Sequence, residues 1–287
     1  MRSLSAIRAW ALLGVLLGCR GNEPPKPLFD AKEITHRAEE YRKTGRTDAA
    51  LRDLQRALVL AEGTDNQKQV ARLCNDIATV YYGHGDFDTA LKHLRRAEGI
   101  ARTRDYRDLL AITLGNIGCV HAERGNLELA RSCYEEALDI DEQNRDRNGK
   151  AYRLNYLGML HRRQGDLNRA MDRLDEALAI NRSLKNDVGT ASNLCNIASI
   201  YEAQGNPAKA IEYYKQALEI DKKLEHLRGV ATDLSNIAHL YEGLGKIDEA
   251  IDYFHRARRV NLLLSRQHRA EQDLESIQRL EKKRAKK

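Results

Sequence analysis

Small residues recur along the chain with a fixed period. Glycines stand 40 residues apart, at Gly45, Gly85, Gly125, Gly165, Gly205 and Gly245. Five residues after each glycine is an alanine (Ala50, Ala90, Ala130, Ala170, Ala210 and Ala250), and seven residues further is another (Ala57, Ala97, Ala137, Ala177, Ala217 and Ala257). These eighteen positions keep one register, so the chain contains six copies of one structural unit.

Each unit predicts two helices joined by a tight turn. In the fifth unit an apolar stripe at helical spacing (Leu194, Ile197, Ala198 and Tyr201) predicts the first helix, and Gly205 is expected to end it. Asn206 is a good N-cap for the second helix, and Pro207 suits its first turn. Asp86, Asn126 and Asp166 occupy the same cap position in other units, whereas Lys246 does not fit it.

The second helix carries its own apolar stripe: Ala210, Ile211, Tyr214, Ala217, Leu218 and Ile220. Alanines at fixed places let two antiparallel helices approach closely while larger neighbours interdigitate. One such hairpin cannot bury both its faces alone, so the units must stack. The pattern therefore predicts an all-α protein built from consecutive helical hairpins.

At these residues the chain resembles the tetratricopeptide repeat family. The matching columns are a small residue (Ala78, Gly118, Gly158, Ala198 and Ala238), a ring (Tyr81, His121, His161, Tyr201 and Tyr241) and a large residue (Leu94, Tyr134, Leu174, Tyr214 and Phe254). The resemblance implies a right-handed α-α superhelix (TPR solenoid) of six helical hairpins over residues 32–266, with a capping helix and a basic tail over 267–287. The common repeat of the family has 34 residues, and the longer form is similar to peptide-binding members such as kinesin light chains.

Composition narrows the classes of function. The 48 basic residues are interleaved with 42 acidic ones, so the net charge of +6 predicts a solvated surface and no nucleic-acid partner. The sequence has no HExxH pair, P-loop, G-x-S-x-G or CxxC motif, which predicts no catalysis, no metal and no cofactor. His121 and His161 lie in the ring column and are interpreted as core residues.

The first residues resemble a bacterial lipoprotein signal. Two arginines precede an apolar stretch, residues 9–18, that is too short for a membrane span, and Leu16-Leu17-Gly18-Cys19 resembles a lipobox. We therefore expect a signal peptide over residues 1–18, lipid attachment at Cys19 and a tether over 19–31. Arg20 follows the cysteine, which favours the outer membrane, facing the periplasm. An ordinary signal peptide and an uncleaved anchor are the alternatives.

The face of the first helices turned away from the apolar stripe is the candidate binding groove. In the family this face is concave, and the candidate residues on it are Asn75, Tyr82, Asn116, Asn155, Tyr156, Arg162, Arg163, Asn196, Glu202, Asn236, His239 and Glu242. Asparagine is unfavourable inside helices, so several at one level need a reason. Two interpretations are open: the amides bond neighbouring repeats, or they grip the backbone of an extended peptide.

The function predicted from the sequence is a non-catalytic scaffold that binds proteins or extended peptide segments and reaches the membrane through its lipid. The main alternative is an assembly factor for an outer-membrane machine, resembling a pilotin or a wall-hydrolase adaptor; an enzyme whose site lacks known motifs is the third. Cys74 is interpreted as a core residue and Cys195 as a small filler, whereas a disulfide between Cys119 and Cys133 is left open, as is the oligomeric state.

Overall fold

A computed structural model describes residues 47–285, and within this range the chain is entirely helical between its turns. The twelve helices are α1 (Thr47–Gly63), α2 (Gln67–Gly83), α3 (Phe87–Thr103), α4 (Arg107–Glu123), α5 (Leu127–Gln143), α6 (Arg147–Arg163), α7 (Leu167–Ser183), α8 (Asp187–Ala203), α9 (Pro207–Lys223), α10 (Leu227–Gly243), α11 (Ile247–Leu263) and α12 (Gln267–Arg284). Even-numbered helices up to α10 are the first helices of the repeats, and odd-numbered helices are the second helices.

The turns repeat as regularly as the helices. A residue with positive φ occurs at every twentieth position from Asp65 to Ser265, alternating between a non-glycine residue and a glycine. At Gly205, where φ is 72°, the N–H donates to the carbonyl of Glu202, and the next N–H, of Asn206, donates to that of Tyr201. This pair of bonds is a Schellman motif, which satisfies the last carbonyls of a helix. The prediction that Gly205 ends the first helix is confirmed.

Contacts divide the chain into two compact units, residues 1–73 and 74–287. The described part of the first unit is α1 and the beginning of α2. Helix α1 buries one face, formed by Ala50, Leu54, Ala57, Leu58 and Ala61. The second unit holds the rest of α2 and all later helices, and its consecutive helices pack side by side.

Close packing inside each hairpin follows the predicted columns. All twelve alanines of the two alanine columns have 0% of their surface exposed, and the five large residues of the third column are buried. A methyl group added at Gly158 would lie 2.7 Å from Leu174 Cγ, so the small-residue column makes room for the large residue of the partner helix. The facing of both helices is thereby as the sequence predicts.

The predicted N-caps are correct at three of four positions. The side chains of Asp86, Asp166 and Asn206 each accept a hydrogen bond from the backbone N–H three residues later. Asn126 stands at the N-cap of α5, but its side chain makes no capping bond, so that prediction is wrong. The helix starts there through its backbone alone, with Ala130 N–H donating to the Asn126 carbonyl.

The fold-class prediction, an all-α tetratricopeptide-type stack, is confirmed. Helix α12 closes the described stack, because its Ile277 and Leu280 join a core cluster with Ala250 and Phe254 of α11. The first helix of the first repeat and the lipobox with Cys19 lie outside the described residues. None of the helices from 47 to 285 combines the length and the apolar character that crossing a membrane requires.

Candidate functional site

Asparagine side chains join the first helices of neighbouring repeats in the second unit. Asn75 Nδ2 of α2 donates to Thr113 Oγ1 of α4 at 2.8 Å, and Asn116 Nδ2 donates to Asn75 Oδ1 at 3.0 Å. Two of the predicted groove residues, Asn75 and Asn116, are therefore bonded to each other across a repeat boundary.

A longer chain of amides crosses α6, α7 and α8. Asn186 Nδ2 donates to Asn181 Oδ1 at 3.0 Å, and Asn181 Nδ2 donates to Asn193 Oδ1 at 2.7 Å. Asn193 and Asn196 then donate to the same acceptor, Asn155 Oδ1, at 2.9 and 2.8 Å. Each link restrains one amide plane, so the chain fixes the side chains of Asn155 and Asn196 in space.

These bonds leave part of each amide unused. Within the described residues Asn155 Nδ2 and Asn196 Oδ1 make no hydrogen bond, and both side chains are half-buried. One amide can therefore tie two repeats and also present a donor or an acceptor to a ligand. Both interpretations of the asparagines are compatible at this level of the stack. Asn236, at the corresponding place on α10, is half-buried as well.

The aromatic groove candidates pack against neighbouring rings. Tyr156 stacks on Tyr134 with ring centroids 5.2 Å apart. Tyr82 contacts Phe87. Burial, with nearby Cys119 and Glu123, raises the pKa of Tyr82 to about 12, so its hydroxyl stays neutral.

The charged groove candidates differ in whether they already make hydrogen bonds within the protein. Arg163 Nη1 donates to the Ala122 carbonyl at 2.7 Å, and Glu242 accepts two bonds of 2.9 Å from Arg279 of α12. Arg162 is half-buried and, within the described chain, its Nε is unbonded, whereas Glu202 is exposed. His239 packs edge-on against Phe254, with ring centroids 4.9 Å apart.

A set of buried polar pairs at the repeat boundaries was missed by the sequence reasoning. Each pair takes one residue from a second helix and one from the following helix, twelve residues later. Three pairs are bonded: Asp141 with Arg153, Asn181 with Asn193, and Asn261 with Asp273. Asp221 and Asp233 occupy the same two positions at the boundary between α9 and α10, and both are buried. The signal was available, since these are polar columns at the 40-residue period. Gly149, Gly189 and Gly229 accompany three of them, because a methyl group there would collide with Asp141, Asn181 or Asp221.

A cavity of about 520 Å³ opens between α6, α8 and α10, beside the carboxyl ends of α7 and α9. Asn155 and Asn196 line it, together with the exposed ring of Tyr152 and the buried carboxylates of Asp221 and Asp233. We call this side of the first helices the inner face. Of the predicted groove residues, the structure brings only Asn155 and Asn196 to the cavity.

The cysteines are free thiols in the described part of the chain. Cys119 is not bonded to Cys133; it lies in hydrogen-bonding contact with the hydroxyls of Tyr134 and Tyr156. Cys74 is fully buried, as predicted for a core residue. His121 and His161 are buried too, and burial lowers the pKa of each imidazole, which fits the core interpretation.

Cys195 does more than fill space. Its Sγ donates to Asp233 Oδ1 at 3.0 Å, and burial together with that carboxylate raises the pKa of the thiol. Among residues 47–285 no group of three or more histidine, cysteine or acidic side chains is arranged to hold a metal ion. The polar groups that line the cavity are amides, hydroxyls, a thiol, carboxylates and the basic side chains of His226 and Arg228, all of which can form hydrogen bonds.

Helices paired at fixed intervals, with side chains bonding one repeat to the next, define a helical repeat protein. The family model described as tetratricopeptide repeat matches residues 33–103, 149–223 and 187–263, and a second model with that description matches 111–144. The chain belongs to the tetratricopeptide repeat family.

Solved structures share this fold at low sequence identity. BtubC (BKLC) from P. vanneervenii is 21% identical, with a TM-score of 0.61 over 78% of this chain and 91% of that one. The Rap conjugation gene regulator of plasmid pLS20, solved with the Phr* peptide, is 18% identical, with a TM-score of 0.67 over 85% and 67%. A putative kinesin light chain from Podospora anserina is 16% identical, with a TM-score of 0.53 over 68% and 96%. Among curated proteins no significant match is found.

Proposed function

We propose that the protein is a non-catalytic scaffold that binds an extended segment of a partner protein on the inner face of its later repeats. The observation that carries the proposal is the amide chain ending in Asn155 and Asn196 beside an open cavity. An extended peptide presents alternating N–H and carbonyl groups, and a fixed amide satisfies either one. A Rap regulator with this fold was solved with a peptide, which agrees with this use of the fold.

Preorganisation favours binding at this place. A side chain held by its neighbours loses little freedom when a ligand arrives, so less binding free energy is spent on ordering it. Asn155 is held by two donors from α8, and Asn196 is one of them. The cavity also has an aromatic wall, since Tyr152 is 56% exposed and its hydroxyl accepts a bond of 3.1 Å from the Tyr156 hydroxyl.

Photo-crosslinking in the native cell tests the binding face. A photoreactive phenylalanine analogue replaces Tyr152 on the inner face or, as the matched control, Leu129 on the second helix α5, which is similarly exposed at 53%. The proposal expects crosslinks at 152 that mass spectrometry maps to a short linear segment of a partner. Crosslinks at 129 alone, or none at either site, would contradict it.

The proposal also includes a lipid anchor at Cys19, which rests on the lipobox-like residues Leu16-Leu17-Gly18-Cys19. Thioether lipidation plus acylation of the new N-terminus would insert several acyl chains, enough for stable attachment. The site of action would then be the outer membrane, on its periplasmic side. Cys19→Ser should abolish incorporation of a clickable fatty acid and release the protein from membranes. Unchanged labelling of that variant would overturn the anchor, whereas the crosslinks at 152 decide the binding face independently.

A further inference from the structure

The boundary between α9 and α10 departs from the one before it. At the preceding boundary Asn181 donates to Asn193, so one amide supplies the proton and the other the acceptor. At this boundary Asp221 and Asp233 take the two positions, and ionised carboxylates accept hydrogen bonds without donating any. A donor is therefore missing where the repeat pattern places one.

Asp233 is the group with an unpaired oxygen. It is 1% exposed; its Oδ1 accepts from Cys195 Sγ at 3.0 Å, and its Oδ2 is buried with no hydrogen bond from any described residue. A buried oxygen of this kind is costly unless something pairs with it. Asp233 lines the cavity of the inner face, so its carboxyl group lies at the cavity wall.

The charges around the cavity favour a cation. Asp221 and Asp233 are its two acidic groups; His226 Nδ1 lies 3.2 Å from Asp221 Oδ1, and Arg228 is exposed at the rim. The remaining polar lining consists of neutral amides, hydroxyls and the Cys195 thiol. Burial and the nearby Asp221 raise the pKa of Asp233 to about 7, the behaviour of a carboxylate short of positive charge, although the bond from Cys195 lowers it.

We propose that the cavity receives a lysine or arginine side chain of the bound segment, whose cationic head donates to Asp233 Oδ2. This inference rests on the proposed peptide-binding function and names the chemistry that the bound segment must carry. The aliphatic part of such a side chain would lie along the ring of Tyr152 and the methyl group of Ala151, and both of these residues line the cavity. The amides of Asn155 and Asn196 would bond the backbone of the same segment.

Positional-scanning hexapeptide libraries test the proposal with the full chain. All peptides are N-acetylated and C-amidated, so an N-terminal ammonium cannot supply the cation, and each library fixes lysine, arginine, norleucine or glutamate at one position. We expect one position at which lysine or arginine binds at least about tenfold more tightly than norleucine. At pH 7 the lysine library should also release up to about half a proton, measured by calorimetry in two buffers, as Asp233 becomes charged.

Three aspartate variants test whether Asp233 causes the preference for lysine or arginine over norleucine. Asp233→Asn should remove it while changing binding of the norleucine library less than about twofold. Asp221→Asn should weaken it, because the amide introduced at that position could itself donate to Asp233. The exposed Asp252→Asn, which changes net charge equally, should leave it intact. If Asp233→Asn does not fold, the comparison of lysine with norleucine on the unchanged protein still decides.

The outcomes separate the two proposals. Binding of peptides without a basic preference, or a basic preference that survives Asp233→Asn, would overturn the cationic pocket and leave the scaffold function standing. No binding of any library would overturn both. A proton shared between Asp221 and Asp233, with no lysine preference, is the structural explanation that would then replace the pocket.

Discussion

The buried ion pair between α5 and α6 allows a sharp test of how the repeats are held together. Arg153 Nε donates to Asp141 Oδ2 at 3.1 Å, and the side chains are only 6% and 4% exposed. Burial raises the pKa of Asp141 even though Arg153 opposes the shift, so desolvation is large here. Removing one partner of such a pair leaves an uncompensated buried charge, which costs about 3–5 kcal/mol of unfolding free energy.

Replacing both partners should lower the unfolding free energy far less than the sum of the two single replacements. Asp141→Asn with Arg153→Asn recreates the pair of the next boundary, where Asn181 donates to Asn193 at 2.7 Å. The main loss is then two buried methylenes of the arginine stem, about 0.8 kcal/mol each, so about 1.6 kcal/mol in total. Independent effects would give about 6–10 kcal/mol, and the difference is the coupling between the two residues.

Urea unfolding, followed by circular dichroism at about 222 nm, measures the stability of the two single variants and the double variant. Because repeat arrays can unfold in parts, hydrogen exchange of the backbone amides of α5 and α6 should be measured as well. Asp252→Asn, which breaks an exposed ion pair with Arg256, is the control and should cost less than about 0.5 kcal/mol. A double variant that costs the sum of the two single ones would refute the coupling. So would single variants no worse than the control.

Packing, turn geometry and burial give three further predictions. Ala217 is fully buried, so Ala217→Leu should overpack its hairpin and lower the unfolding free energy by about 1–3 kcal/mol. The control Lys222→Ala changes an exposed residue of the same helix and should lower it by less than about 0.5 kcal/mol. Equal shifts in melting temperature for the two variants would mean that the assigned buried face of α9 is wrong. A methyl group at Gly205 would meet no atom within 4 Å, but φ there is 72°, so Gly205→Ala should destabilise the protein by about 1–2 kcal/mol. Gly99 lies on the open face of α3, so Gly99→Ala should stabilise the protein by about 0.5–1 kcal/mol. Urea unfolding measures both variants. Asp233, with its pKa raised from 3.8 to about 7, binds more protons folded than unfolded between pH 4 and 7, so stability should fall as pH rises through that window, and Asp233→Asn should flatten the melting-temperature profile.

The sequence predicts the fold well because the fold depends on residue size and on a constant period. Alanine columns and a glycine every 40 residues are properties of single positions, and burial of the alanines and the turn at Gly205 follow from them. The turns between repeats were not predicted, since residues such as Glu225 adopt positive φ there without being glycine. There the surrounding hairpins impose a conformation that the residue itself disfavours.

The candidate site was predicted only in part, because it depends on pairs. Asn155 and Asn196 were recognised from their place on the helix, but which amide donates to which depends on the rotation of adjacent repeats. Asp233 was not recognised at all: on a single helix it is one more polar residue, and its isolation appears only when Asp221 is found opposite it. Which side chains pair across a repeat boundary depends on which of them meet in the folded protein.

The buried polar pairs also bear on how such a gene could gain or lose a repeat. Deleting residues 147–186 would place Asp141 opposite Asn193, a carboxylate facing an amide that can donate to it. Deleting residues 107–146 would instead place Arg153 opposite Ala101, leaving a buried cation with no counter-ion. Recombination between equal-length repeats is therefore not neutral, and the boundaries permit some neighbours and reject others.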